Sequence, residues 1–170
     1  RLHKLFTELE FKTLLKSAET KKTPAKSSNG SASKDNYRAI LSKKDLDGLI
    51  KGLKKAKVLA FDTETDSLDF TQANLVGLSV ATDEDNAYYI PVGHDYEGAP
   101  KQLDRDEVLK KLKPIIEKTP LIGQHLKFDR NVLANYDIHL NAIENDTMLM
   151  SYVYDPTATR HNLDAMASHY

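Results

Sequence analysis

Apolar positions along the chain follow two periods, one of strands and one of helices. Val58-Leu59-Ala60-Phe61 is an unbroken apolar run, as in a strand buried on both faces, and it then turns acidic as Asp62-Thr63-Glu64-Thr65-Asp66-Ser67-Leu68-Asp69. Leu75 to Ala81 and Ala87 to Val92 are two more runs of small and branched apolar residues, separated by the turn-forming Asp83-Glu84-Asp85-Asn86. Strands at such short spacing predict an antiparallel meander. Ahead of them, Tyr37, Ala39 and Leu41 alternate as in a strand. Ser42, with Asp45 three residues on, predicts a capped helix whose face is Leu46, Leu49, Ile50 and Leu53.

Beyond the meander the period lengthens. Asp104 and Glu107 form a capping pattern before Val108, Leu109, Leu112, Ile115 and Ile116, with Pro114 expected to kink that helix or end its first part. Leu121 and Ile122 predict a short strand joining the same sheet. Helices are expected from about Lys127 to Tyr136, from Thr147 to Tyr154 behind an Asp146 cap, and from near His161 or Asn162 onward. Three strands, a helix, a strand and three helices argue for an α/β fold with a mixed sheet flanked by helices. No internal repeat is visible.

The first 35 residues read differently. Leu2, Leu5, Phe6 and Leu9, extended by Leu14 and Leu15, predict a short amphipathic helix over residues 1–17, the end of a preceding domain. Residues 18–35 hold no aromatic or branched aliphatic side chain and are expected to be a flexible linker; a basic arm touching DNA is the alternative. The main domain is placed at 36–170.

Composition narrows the class. Of 170 residues, 40% are hydrophobic and 29% charged, ordinary for a globular protein. The absence of cysteine excludes disulfides and thiolate metal sites and suits a reducing cytosol. No apolar run is long enough to cross a bilayer, and no signal peptide is visible. The net charge of −1 hides an asymmetry: residues 1–57 carry +9 and residues 58–170 carry −10. A basic segment beside an acidic domain is compatible with a nucleic-acid protein, the acidic part needing cations to hold a phosphate chain.

Residues two apart on a strand project to one face, so Asp62 and Glu64 point the same way. Neighbouring carboxylates repel unless a cation or a shared proton relieves them, and hard divalent cations take carboxylate oxygens. Asp129, early in the helix after Gly123-Gln124-His125-Leu126-Lys127-Phe128, is a third candidate. The plain alternatives are an acidic pair on a surface strand and an acid placed at a helix N-terminus for its dipole.

Phe61-Asp62-Thr63-Glu64-Thr65-Asp66-Ser67-Leu68-Asp69 with Ala73-Asn74-Leu75-Val76-Gly77-Leu78-Ser79 resembles the first exonuclease motif of bacterial DNA polymerase I. Ile90-Pro91-Val92-Gly93-His94-Asp95-Tyr96 is similar to that family's next segment. Gly123-Gln124-His125-Leu126-Lys127-Phe128-Asp129-Arg130 with Leu133-Ala134-Asn135-Tyr136 resembles its second motif. Asp146-Thr147-Met148-Leu149 and Arg160-His161-Asn162-Leu163-Asp164 continue the likeness in order, so that it covers essentially the whole chain.

The resemblance implies a proofreading 3′–5′ exonuclease domain with a ribonuclease H-like fold, acting on single-stranded 3′ ends with two divalent ions. Those ions would be Mg2+, with Mn2+ or Zn2+ as substitutes. It implies that Asp62 bridges the ions, that Glu64 binds the water-bearing one, and that Asp129 acts through the other. It places Leu68 against the terminal base, and Thr63, Gln124, His125, Lys127, Phe128 and Arg160 at or beside single-strand contacts. His125 stands where the family more usually has Asn, and Phe128 where it has Tyr, which removes a hydroxyl. The family's third motif, Tyr-x-x-x-Asp, is expected beyond Tyr170, so the sequence reads as a piece of a longer enzyme, truncated at the C-terminus. The expected partners are a DNA 3′ end and a polymerase domain in the parent chain, with no membrane, in a monomer of the bacterial cytoplasm. Two other classes stay open: a silent DNA-binding scaffold, and a related exonuclease acting on RNA.

Overall fold

The computed structural model describes residues 36–170, so the helix expected over 1–17 and the linker expected over 18–35 lie outside the described residues. Six strands form one sheet: β1 (Tyr37–Ala39), β2 (Leu59–Thr65), β3 (Leu75–Ala81), β4 (Ala87–Pro91), β5 (Leu121–Gly123) and β6 (Ile143–Asp146). Their order across the sheet is β1-β4-β3-β2-β5-β6. β2, β3 and β4 make the expected antiparallel meander. β1 joins β4, β5 joins β2 and β6 joins β5, each in parallel. Five helices are described: α1 (Lys43–Leu53), α2 (Arg105–Ile116), α3 (Leu126–Ala134), α4 (Thr147–Tyr154) and α5 (Leu163–His169). This is the mixed sheet flanked by helices that the element order argued for.

The core forms where the predicted faces meet. Leu46 and Leu53 of α1, Leu112 and Ile116 of α2, and Leu126 and Leu133 of α3 are buried with Leu59, Leu75, Leu78, Ile90 and Leu121 of the sheet. Each such side chain contributes about 1.5–3 kcal/mol on burial. Helix starts follow their caps. Ser42 Oγ accepts the Asp45 N–H at 3.1 Å, Asp104 accepts the Glu107 N–H at 2.9 Å, and Asn162 accepts the Ala165 N–H at 2.8 Å. A cap of this kind is worth about 1 kcal/mol. No helix among the described residues is long and apolar enough to cross a membrane.

Three details differ from the sequence pattern. β1 is an edge strand whose apolar alternation lies outside: Tyr37 is 58% exposed, and the buried side chain is the neighbouring Ile40. α2 runs through Pro114 to Ile116, because the proline sits in the last turn, where the missing N–H removes a single bond. β6 has no apolar period, since Ile143, Glu144 and Asn145 are all exposed. Its register against β5 makes it a strand.

Candidate metal and nucleic-acid site

β2 carries the site, and the shortness of β5 opens it. β5 pairs with β2 only at Leu59 and Ala60, so the same edge is free one step higher. There Asp129 of α3 takes the place of a strand: its Oδ1 accepts the Thr63 N–H at 2.8 Å and the Thr63 hydroxyl at 2.6 Å. Gly123 makes the close approach possible. A Cβ on it would lie 2.5 Å from the Phe61 carbonyl oxygen and 2.7 Å from Leu126 Cδ2.

The chain then turns into α3 through His125, whose φ of 61° is left-handed and whose side chain caps nothing. Asn tolerates that conformation better than most residues, which fits its usual place in the resembled family. The missing cap comes from Asp146. Its Oδ1 accepts the His125 N–H at 3.1 Å and its Oδ2 the Leu126 N–H at 2.8 Å. Oδ1 also accepts the Met148 and Leu149 N–H groups of α4 at 3.0 and 3.2 Å. One buried carboxylate therefore caps two helices.

Asp62 and Glu64 project from β2 on the face opposite Thr63, Asp62 half-buried and Glu64 exposed. Burial pushes the Asp62 carboxyl up to about 6; the charges of Asp129 and then Glu64 add to this, while the Thr63 N–H opposes it. Burial also raises Asp129, against the pull of the two Thr63 hydrogen bonds. Burial makes the ionised form of both carboxyls costly, the His125 charge offsets this only in part at Asp129, and their hard oxygens suit a divalent cation. Among the described residues, no group of three or more His, Asp or Glu side chains is drawn together enough to enclose an ion. The donor chemistry fits; a closed cage is not formed.

The other expected residues scatter around this centre. Thr63 is buried and holds Asp129. Leu68, on the loop after β2, is 93% exposed. Lys127 and Arg160 are exposed. His125 stacks on the half-buried Phe128 with ring centroids 6.4 Å apart. Gln124 is engaged internally: its Nε2 donates to the His161 carbonyl at 2.9 Å and its Oε1 accepts from the Thr147 hydroxyl. His161, buried with a φ of 56°, braces that end. The Pro156 carbonyl can only accept, so His161 Nε2 donates to it, and Nδ1 is hydrogen-bonded to the Ser151 hydroxyl.

Sequence reasoning missed Tyr89. Its hydroxyl lies over Gly77, where a Cβ would come within 1.9 Å, and Gly77 is the cross-strand partner of Glu64. The Tyr89 hydroxyl is hydrogen-bonded to His94 Nε2, and Gln102 clamps the His94 backbone at both N–H and carbonyl. The glycine opposite an acid was the one available signal.

The sequence profile of the 3′–5′ exonuclease family matches residues 37–170. The chain is 44% identical over 174 residues to DNA polymerase I of Pseudomonas aeruginosa, covering 98% of this chain and 19% of that protein. It is 38% identical over 138 residues to DNA polymerase I of Borreliella burgdorferi, covering 79% of this chain and 14% of that protein. The chain thus spans less than a fifth of the length of these relatives. Among solved structures, the POL domain of Pol1 from M. smegmatis matches with a TM-score of 0.61 at 17% identity, over 78% of this chain and 22% of that one. Escherichia coli RNase D, an exoribonuclease involved in structured RNA processing, matches with a TM-score of 0.58 at 17% identity, over 79% and 33%. At these identities the likeness is one of fold, and it agrees with the ribonuclease H-like sheet expected from the sequence.

Proposed function

The chain belongs to the 3′–5′ exonuclease family, and from that premise we propose that it hydrolyses the 3′-terminal nucleotides of single-stranded or frayed DNA, as the proofreading part of a DNA polymerase I. Asp62, Glu64 and Asp129 hold two divalent ions, Mg2+ by preference, with Mn2+ or Zn2+ able to replace it. Such ions, when bound, neutralise charge on the phosphate and lower the pKa of the attacking water. Thr63 fixes the rotamer of Asp129 by holding Oδ1, which leaves Oδ2 for a ligand role. Asp62 is within reach of the charges of the other two carboxyls. Leu68 offers an apolar surface to the terminal base, the His125–Phe128 pair offers a stacking face, and Lys127 and Arg160 meet phosphates. Gln124 ties the turn that carries His125 to the His161 carbonyl, next to Arg160. The partners on this reading are a DNA 3′ end and a polymerase domain in the same polypeptide, in a monomer of the bacterial cytoplasm.

The observation that carries this reading is geometric: Asp129 is fastened to Thr63, the β2 residue between Asp62 and Glu64, so that three acids share one stretch of the sheet. Its test is digestion of a 5′-labelled single strand with Mg2+, by this chain and by a longer polypeptide that includes a Tyr-x-x-x-Asp motif. Asp62→Ala and Glu64→Ala are each expected to lower the rate more than about a hundredfold, beyond the usual cost of losing an outer-shell partner. Digestion that survives both changes sinks the site assignment.

A second reading, a DNA-binding scaffold without hydrolysis, is favoured by the absence of a three-acid enclosure among the described residues. Calorimetric titration with Mn2+ separates the two, since a scaffold takes up no ion that Asp62→Ala abolishes.

A further inference from the structure

The loop joining β2 to β3, residues 66–74, presents Leu68 almost bare, yet the loop itself is tied at every stage. Asp66 closes its neck: Oδ1 accepts the Asn74 N–H at 2.7 Å, Oδ2 accepts the Asn74 side-chain amide at 2.8 Å, and the Asp66 N–H donates to the Asn74 carbonyl at 3.1 Å. Within it, Asp69 Oδ1 accepts both the N–H and the hydroxyl of Thr71. These bonds give the loop its shape. At its start the Thr65 hydroxyl of β2 also donates to the Ser67 carbonyl at 2.8 Å.

A second anchor comes from the end of α3. Asn135 Nδ2 donates to the Phe70 carbonyl at 2.7 Å, and the Tyr136 hydroxyl accepts the Leu75 N–H at 2.9 Å. Arg105 backs the contact, its guanidinium 5.1 Å from the centre of the Tyr136 ring and its Nη1 donating to the Leu75 carbonyl at 3.4 Å. Arg105 Nε is buried and has no partner among the described residues. At its other end α3 is seated on Asp146, and one turn in it is locked to Thr63 through Asp129. A helix rises about 1.5 Å per residue, so Asp129 and Asn135 stand about 9 Å apart along a stiff rod. α3 is tied to the carboxylate site at one end; at the other, Asn135 reaches the Leu68 loop at Phe70 and Tyr136 reaches Leu75, the β3 residue at which that loop ends.

We propose that Asn135 and Tyr136 are positioning residues that hold the 66–74 loop, and Leu68 with it, at a fixed span from Asp62 and Asp129, so that a 3′-terminal base reaches both only when freed from its complementary strand. This rests on the reading of the site as one for a DNA 3′ end. The consequence is that neither residue touches the substrate, yet both control where its last base sits.

The test uses a single-stranded oligonucleotide with 2-aminopurine at its 3′ end and a non-hydrolysable last linkage. Asn135→Ala and Tyr136→Phe, the second of which keeps the ring beneath Arg105, are compared with Leu68→Ala. Each positioning variant is expected to speed amide exchange at Thr71 and Leu75 about tenfold, as for the loss of one hydrogen bond. Each should also diminish the 2-aminopurine response and weaken binding about three- to tenfold, with Mn2+ affinity held within about twofold. Adding either change to Leu68→Ala should weaken binding no further, because the loop acts through that side chain. Unchanged exchange, additive losses with Leu68→Ala, or a parallel fall in Mn2+ affinity would each overturn the proposal. A wild-type chain that binds no oligonucleotide would instead overturn the 3′-end reading on which it stands, while the exchange data still report whether the tie exists.

Discussion

Asp129 and Asp146 are both buried carboxylates, 2% and 8% exposed, and both serve the same helix. Their hydrogen bonding separates them. Asp146 engages both oxygens with four backbone N–H groups, two at the start of α3 and two at the start of α4. Two helix N-termini and four donors compensate its charge. Asp129 uses Oδ1 alone for other residues, burial raises its carboxyl against the pull of Thr63 and of the His125 charge, and its own charge raises Asp62 beside it. A buried acid whose lone pairs are all taken holds the chain in place. One with an oxygen to spare, beside other acids and raised by burial, is arranged for something the chain does not itself supply.

The same substitution should therefore have very unequal results at the two positions. Asp146→Asn replaces an acceptor oxygen by a donor that must face N–H groups, and it is expected to cost about 3 kcal/mol, the loss of one or two bonds with buried donors left over. Asp129→Asn can keep its oxygen toward Thr63 and sheds a buried charge. It is expected to change stability by less than about 1 kcal/mol. Urea unfolding at neutral pH measures both. Equal losses would remove the distinction between a structural and an available carboxylate.

Why the sequence revealed one of these roles and half of the other follows from what each depends on. Asp62, Glu64 and Asp129 are marked by residue type, by period-two spacing on a strand and by the family resemblance, all of which are properties of the sequence itself. The cap on α4 was legible too, since Asp146 directly precedes its helix. The cap on α3 was not. It requires β6 to lie beside β5, and β6 has no apolar alternation to announce it. Similarly, Tyr136 reads as an apolar position of its helix, and only the fold brings its hydroxyl to the Leu75 N–H, 61 residues away in sequence. The sheet meander, the caps at Ser42 and Asp104 and the core face of α1 needed only local patterns. Tyr89 over Gly77, the double cap and the tie between α3 and the Leu68 loop needed strand register, which short segments do not encode.

Cation binding sharpens the contrast next. A ligand that binds only the folded chain stabilises it by about 2.7 kcal/mol at a hundred times its dissociation constant. Mg2+ or Mn2+, added at matched ionic strength, is expected to raise the unfolding midpoint of the wild type and of Asp146→Asn. It should leave Asp62→Asn and Asp129→Asn where they were. A shift that persists in those two variants, or none in the wild type, would mean that the spare oxygen of Asp129 is not a ligand.

The smallest expected effect is the dependence of stability on pH without added cation. The Asp62 carboxyl titrates near 6 in the folded chain and near its ordinary 3.8 when unfolded. Between those values the folded state binds the extra proton, so the contribution of this group to stability is fully present below 3.8 and is lost as pH rises through 6. A shift of this size corresponds to about 3 kcal/mol, and partial solvent contact reduces that to about 1–2 kcal/mol. Asp129, raised by burial as well, works in the same direction. Wild-type stability from urea curves should thus fall between pH 4 and 7, and Asp62→Asn should flatten that slope. A divalent ion binds the ionised carboxylates, so at saturation it should reverse the slope over the same window. Asp146→Asn should keep the slope of the wild type while lying below it throughout. If the slope followed Asp146 instead of Asp62, the charge pressure attributed to the site would belong to the helix cap, and the contrast between the two aspartates would reverse.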